Sequence, residues 1–392
     1  MQQRGWDALD VIIVSGDSYI DSPYIGAAVI GRVLESAGYR VGIIGQPDVD
    51  SGTDIMRLGA PRLFWGVSGG CVDSMVANYT ASRKKRWKDD YTPGGENNRR
   101  PNRAVITYTN LIKRYFKDTA PIVLGGIEAS LRRVAHYDFW SDSIRRPILF
   151  DAKADYLLYG MAEKSVIALA QALAGDGDVS NILGLCYIAP TSPPHHLTLP
   201  SYEAVKEDNR SFIEMFHTFY ANNDPLSARG LAQVCGNRYL VQNPPSAYLT
   251  QSEMDAVYAL QYQRAQHPYY ARQGEARALE TIRFSINTQH GCYGECNFCS
   301  IAVHEGRTVR WRSEDSVLKE AELIAGLPDF KGYILDVGGP TANMYGFECP
   351  IKLKDGACLD KRCIYPRVCG ALKPNHARQS ALLKKLRGIK GV

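Results

Sequence analysis

The stretch "GCYGECNFCS", residues 291–300, places Cys292, Cys296 and Cys299 within eight residues, with Phe298 just before the last thiol. Thiolates at this density are soft ligands for zinc or iron–sulfur clusters. Structural zinc is closed by four ligands and commonly uses paired Cys-x2-Cys spacing, which a Cys-x3-Cys-x2-Cys loop without a fourth ligand nearby fits poorly. Electron-transfer ferredoxins also supply four thiolates, in a Cys-x2-Cys-x2-Cys run that differs from this one. Three thiolates on a cubane would leave one iron open to a small molecule and able to pass an electron into it. Cys349, Cys358, Cys363 and Cys369 form a second group over 21 residues, with spacings of nine, five and six. They are candidates for a structural zinc site, a second cluster, or a resting-state ligand to the first. Cys71, Cys186 and Cys235 stand alone and are expected to be small buried hydrophobes.

The elements around these thiols follow from hydrophobic period. "DVIIVSG" (10–16) is a β-branched apolar run, "YIGAAVIGRVLESAG" (24–38) has helical spacing with a glycine stop, and "YRVGIIG" (39–45) is a second strand. The same alternation continues to residue 175 and predicts a doubly wound parallel sheet in an α/β fold. Residues 176–280 are broken by prolines in "IAPTSPPHHLTLPSY" and "VQNPPSAYLT", around one predicted helix in "SYEAVKEDNRSFIEMFHTFYANN". They read as a bridging region, in which the adjacent His195 and His196 lack other ligand types nearby. From residue 281, "TIRFSINTQ" alternates Ile282, Phe284 and Ile286 with polar residues and predicts a strand leading into the cysteine loop. Ser313 is placed to cap a helix carrying Val317, Leu318, Ala321, Ile324 and Ala325 on one stripe, and "GYILDVGGP" predicts a second strand. Strand, loop, helix and strand open a β/α barrel, where chemistry sits at the strand C-termini.

In that setting Cys292, Cys296 and Cys299 with Phe298 resemble the radical S-adenosylmethionine (radical SAM) signature, Cys-x3-Cys-x-aromatic-Cys. "TIRFSINTQHGCYGECNFCSIAVHEGR", "DVGGPTANMYG", "VLGGIEASLRRVAHYDFWSD" and "DALDVIIVSGDSYIDSPYIG" are similar to the YgiQ-type members of that superfamily, over nearly the whole chain. The resemblance implies a [4Fe-4S] cluster on the three thiols and S-adenosylmethionine on its open iron. It further implies a 5′-deoxyadenosyl radical acting on an unknown substrate, and an electron donor such as flavodoxin or ferredoxin. Phe298 would pack beside the adenine. Gly338 and Gly339 match the start of the family's Gly-Gly-Glu element, with Pro340 in place of the acid. The N-terminal sheet resembles the cobalamin-binding domain that precedes many such barrels, whose Asp-x-His-x-x-Gly turn supplies an imidazole. Here Asp21, Pro23 and Gly26 stand at that spacing, so cobalamin is not expected.

The resemblance divides the chain into a cobalamin-binding-like domain (1–175), a bridge (176–280) and the first part of a radical SAM barrel with a cysteine-rich insertion (281–392). Only 93 residues follow Cys299, too few for the family's barrel of about six strands at about thirty residues per βαβ unit. The chain is therefore expected to be a truncated or split member, so that either a separate chain completes the barrel or the isolated chain is aggregation-prone. A net charge of +5 over 392 residues, with 22% charged residues, is an ordinary globular composition and names no partner. The basic runs "RKKRWK" (83–88) and "NNRRPNR" (97–103) leave an RNA-directed or methylthio-transfer role as one alternative. A non-enzymatic iron–sulfur or zinc protein is another. The first run is read as a solvated helix face. With no leader pattern and no run of 18 apolar residues, a cytoplasmic location without membrane partners is expected.

Overall fold

A computed structural model describes residues 4–175, 177–340 and 342–392; Met1 to Gln3, Asp176 and Thr341 of the "GGPTAN" stretch lie outside the described residues. The chain opens with β1 (Val11–Ser15), α1 (Gly26–Ser36), β2 (Val41–Gly45), β3 (Phe64–Ser68), α2 (Ala104–Tyr115), β4 (Ile122–Gly125), β5 (Tyr156–Leu158) and α3 (Glu163–Ala174). These five strands are parallel and lie in the order β2-β1-β3-β4-β5. Both faces of this sheet are covered, which is why β1 reads as an unbroken apolar run. Ile12 and Val14 face the layer that holds Tyr108 and Ile112 of α2, while Val11 and Ile13 face Val33 and Leu34 of α1 and Leu169 of α3. Gly31 lets α1 approach the sheet closely: a Cβ there would lie 3.2 Å from Ile43.

The segment expected to bridge extends this sheet instead. Leu185–Ala189 (β6), Leu197–Leu199 (β7), Leu231–Cys235 (β8) and Arg238–Gln242 (β9) complete nine strands in the order β7-β8-β9-β6-β5-β4-β3-β1-β2. β6 runs antiparallel to β5, and β9 antiparallel to both β6 and β8. The prolines that break the sequence rhythm fall in loops, where they remove no ladder donor. The single helix expected after "SYEAV" is two, Tyr202–Glu207 and α4 (Asn209–Ala221). Asp208 separates them, its carboxylate accepting from the N–H groups of Arg210 and Ser211.

The expected strand at 281–289 is shorter than its alternation suggests. Leu279–Ile282 is helical, because Ile282 packs against the Ile20, Ile25 and Ala276 cluster rather than continuing a strand. β10 is confined to Ser285–Asn287 and pairs in parallel with β11 (Asp336–Gly338). Between them runs α5 (Glu314–Ala325), capped as expected by Ser313, whose hydroxyl accepts from Ser316 N–H. Val317, Ala321 and Ile324 of α5 pack on Ile286 together with Leu382 and Leu386 of α6 (Ala377–Leu386). Among the described residues β10 and β11 form a two-stranded pair and no closed barrel. No helix among the described residues is long and apolar enough to cross a membrane.

Candidate functional site

The cysteine loop leaves β10 at its C-terminal end. Gln289–His290 pairs antiparallel with Arg310–Trp311, and Cys292 N–H donates to Gly306 O, so the loop is pinned at its base. A Cβ added at Gly294 would lie 3.2 Å from Cys292 Sγ and 3.5 Å from Cys296 Sγ. The two sulfurs thus converge over Gly294, where a Cβ would press on Cys292 Sγ. Gly294 N–H donates to Cys292 Sγ at 3.2 Å, and Cys299 N–H donates to Cys296 O. Cys292 is buried, Cys299 partly so and Cys296 exposed. Phe298 is 92% exposed, standing off the loop rather than packing on it. Among the described residues no three Cys, His, Asp or Glu side chains close into a metal-ligand set.

The glycines after β11 are held by close neighbours. A Cβ on Gly338 would meet Asn343 Oδ1 at 2.8 Å, and one on Gly339 would overlap the Gln289 side chain at 2.3 Å. Gly338 O accepts from Thr288 N–H, which brings the end of β11 to the start of the cysteine loop. The second cysteine group folds against the first. Cys349 and Cys363 share a buried cluster with Cys292, Tyr293 and Phe347, with Cys369 at its margin, and Cys358 is half-buried. Burial pushes the Cys363 thiol up, opposed by the Lys352 ammonium, whereas backbone N–H groups of Ala371 and Leu372 pull the half-buried Cys369 thiol down. Cys186 and Cys235 are buried core residues, as expected, and Cys71 is half-buried.

Charged residues that the sequence reading did not single out organise the loop. Glu295, between Cys292 and Cys296, is buried against Arg307, Lys352 and Tyr220. A carboxylate inside a cysteine loop was the one sequence signal for it. Behind the loop lies a cavity of about 60 Å³ lined by Tyr159, Met161, Tyr248, His290, His304 and Glu305. That is room for a few water molecules. Burial lowers His290 and His304 to about 4 and raises Glu305 to about 7, the Gly291 N–H opposing the last shift.

In the N-terminal sheet the order β2-β1-β3-β4-β5 puts the topological switch point between β1 and β3, where doubly wound folds bind ligands beyond the strand C-termini. Arg100 fills it. Its guanidinium donates to Asp17, to Asp89 and to Gly69 O, and is wholly buried. The neighbouring turn has Pro23 where an imidazole would be needed, and Asp21 is paired with Arg32. The same burial removes Arg100 from the "NNRRPNR" run as a phosphate contact. "RKKRWK" is exposed but not helical; the helix Ser74–Asn78 ends before it. His195 is exposed at φ +70, and His196 packs against Gly230, with no ligand set formed.

Comparison with known proteins adds to this geometry. The radical SAM N-terminal family model matches residues 1–285. A UPF0313 protein of Fusobacterium nucleatum is 55% identical over 393 residues, covering 100% of this chain and 69% of its own length. A UPF0313 protein of Thermotoga maritima is 49% identical over 395 residues, with the same coverage of 100% and 69%. One from Clostridium botulinum is 46% identical over 397 residues, 100% of this chain and 61% of the relative. Among solved structures, the radical S-adenosylmethionine methyltransferase TsrM from Kitasatospora setae, with tryptophan substrate and a SAM analog bound, gives a TM-score of 0.47 at 18% identity. That match covers 84% of this chain and 47% of TsrM. The cobalamin-dependent radical enzyme OxsB gives a TM-score of 0.43 at 11% identity, covering 81% of this chain and 32% of OxsB.

Proposed function

This chain belongs to the UPF0313 family of radical SAM proteins, and from that membership we propose that Cys292, Cys296 and Cys299 hold a [4Fe-4S] cluster whose open iron takes S-adenosylmethionine. The observation that carries the reading is the convergence of Cys292 Sγ and Cys296 Sγ over Gly294, in a loop at the C-terminal end of a parallel strand. Three thiolates and an open cradle suit a cluster that keeps one coordination position for a ligand. When bound, such a cluster would supply the electron that breaks a sulfonium carbon–sulfur bond of S-adenosylmethionine, giving methionine and a 5′-deoxyadenosyl radical able to abstract hydrogen from a substrate.

The chain's own part is to hold and shield. Gly338 and Gly339 offer backbone at the end of β11, beside the loop, to the amino group of the cofactor. Phe298, exposed on the same loop, is positioned to fold over an adenine. The exposure of Cys296 and Phe298 leaves the loop within reach of an external donor such as flavodoxin or ferredoxin. A cytoplasmic location fits these reduced thiols. Cobalamin is not part of this reading, because Arg100 occupies the switch point and the turn beside it carries no imidazole. We assign no step to it.

Anaerobic reconstitution tests the reading. Wild-type chain is expected to bind about four irons and the C292A/C296A/C299A variant to lose them. Addition of S-adenosylmethionine and dithionite is expected to yield 5′-deoxyadenosine from the wild type alone. Zinc in place of iron, unaffected by the triple variant, would sink the proposal.

A further inference from the structure

Glu295 stands inside the cysteine loop with its backbone in the left-handed region, φ +48, and is 4% exposed. Its side chain turns away from solvent into a charged cluster. Oε2 accepts from Arg307 Nε at 2.8 Å and from the Tyr220 hydroxyl at 2.9 Å, and Oε1 accepts from Lys352 Nζ at 3.1 Å. Lys352, wholly buried, also donates to Arg307 O at 2.7 Å, and Arg307 Nη2 donates to Cys358 O at 2.8 Å. Three separate segments therefore meet on one carboxylate. Tyr220 comes from α4 of the nine-stranded domain, Arg307 from the return stretch of the cysteine loop, and Lys352 from the helix Pro350–Asp355 in the cysteine-rich insertion.

The cluster's charge does not cancel. Two cations are buried with one carboxylate, and a buried excess charge is unfavourable unless an anion lies close by. The neighbouring loop supplies one, because thiols ligate as thiolates. Glu295 is the residue immediately before Cys296, so the triad's charge lies directly beside the loop.

We propose that the Glu295–Arg307–Lys352 triad is a charge-setting anchor for the cysteine loop. It fastens the insertion and the N-terminal domain to the loop, and its net positive charge raises the reduction potential of the group the loop holds. These are positioning residues, and the inference rests on the cluster reading of Cys292, Cys296 and Cys299.

Coulomb's law gives the triad a signed test. K352M removes a positive charge and is expected to lower the midpoint potential of the reconstituted cluster. E295Q removes the negative charge and is expected to raise it. K352R keeps the charge and is expected to stay near wild type, as is Y220F, which removes only a neutral donor to the same carboxylate. Iron content and a spectroscopically monitored redox titration are read together. Should E295Q not fold, K352M against K352R still decides the sign. Iron-loaded K352M and E295Q that shift the same way, or not at all, would overturn the triad while leaving the cluster reading intact. A wild-type chain that takes no iron would remove the cluster reading and the triad with it.

Discussion

His304 and Glu305 are neighbours in sequence at one cavity, and desolvation drives their proton affinities in opposite directions. His304 falls from 6.5 to about 4, through desolvation and then the nearby Arg133, while Glu305 rises from 4.5 to about 7, through desolvation. The histidine's depressed value stabilises the fold above 6.5, a contribution lost as pH falls through about 4. The glutamate's raised value stabilises the fold below 4.5, a contribution lost as pH rises through about 7. Thermal melts across that range are therefore expected to decline on both sides. H304Q should flatten the acid limb and E305Q the alkaline limb; a variant that flattens neither, or the wrong limb, contradicts the assignment. At this scale the three ligand candidates were legible because their chemistry lies in eight contiguous residues. Glu295 was not, because its partners Arg307, Lys352 and Tyr220 lie 12, 57 and 75 positions away. Arg100 was read as part of a basic run for the same reason: its partner Asp17 is 83 positions distant.

Period carried the elements well where both faces of a strand are buried, as in β1, β2 and β3, and less well where one residue serves two neighbours. Ile282 fits a strand by alternation, yet its contact with the Ile20 and Ile25 cluster holds it in a helical turn. The free edge of β10 shows a device that no local pattern announces. Ser285 O and Asn287 O accept from Arg264 Nη1 at 3.1 Å and Arg312 Nη1 at 2.9 Å, and both arginines pair with the buried Glu320. Two guanidinium groups thus satisfy carbonyls that another strand would otherwise take, which blunts this edge against pairing. Replacing Arg264 by Met leaves Glu320 with one cation and strands the Ser285 carbonyl. The expected cost is about 3–5 kcal/mol of unfolding free energy, as for other broken buried pairs. A denaturant titration showing R264M within about 1 kcal/mol of wild type would mean the edge is sealed by Arg312 alone.

At the scale of the whole molecule the two halves of the chain are finished to different degrees. The nine-stranded sheet is covered on both faces, and side chains from it reach across to the cysteine loop: Asn223 Nδ2 donates to Ala302 O and Val303 O at 3.4 and 3.1 Å. β11 is paired on one side only among the described residues, and close to it in sequence Tyr333 and Leu335 are 75% and 54% exposed. An unpaired strand edge beside exposed large apolar side chains favours association with another strand or another copy. β10 differs in this respect, since Arg264 and Arg312 hold the carbonyls of its free edge. Concentration-dependent self-association is therefore expected in sedimentation velocity, and it should be hydrophobic rather than electrostatic, persisting as salt is raised. A Y333K/L335K double variant adds charge at this edge without touching the buried Ile286, Val317 and Ile324 core. It is expected to shift the distribution toward monomer with little change in melting temperature. Association unchanged in that variant would place the contact elsewhere on the surface, and a strictly monomeric wild type would show that β11 needs no partner.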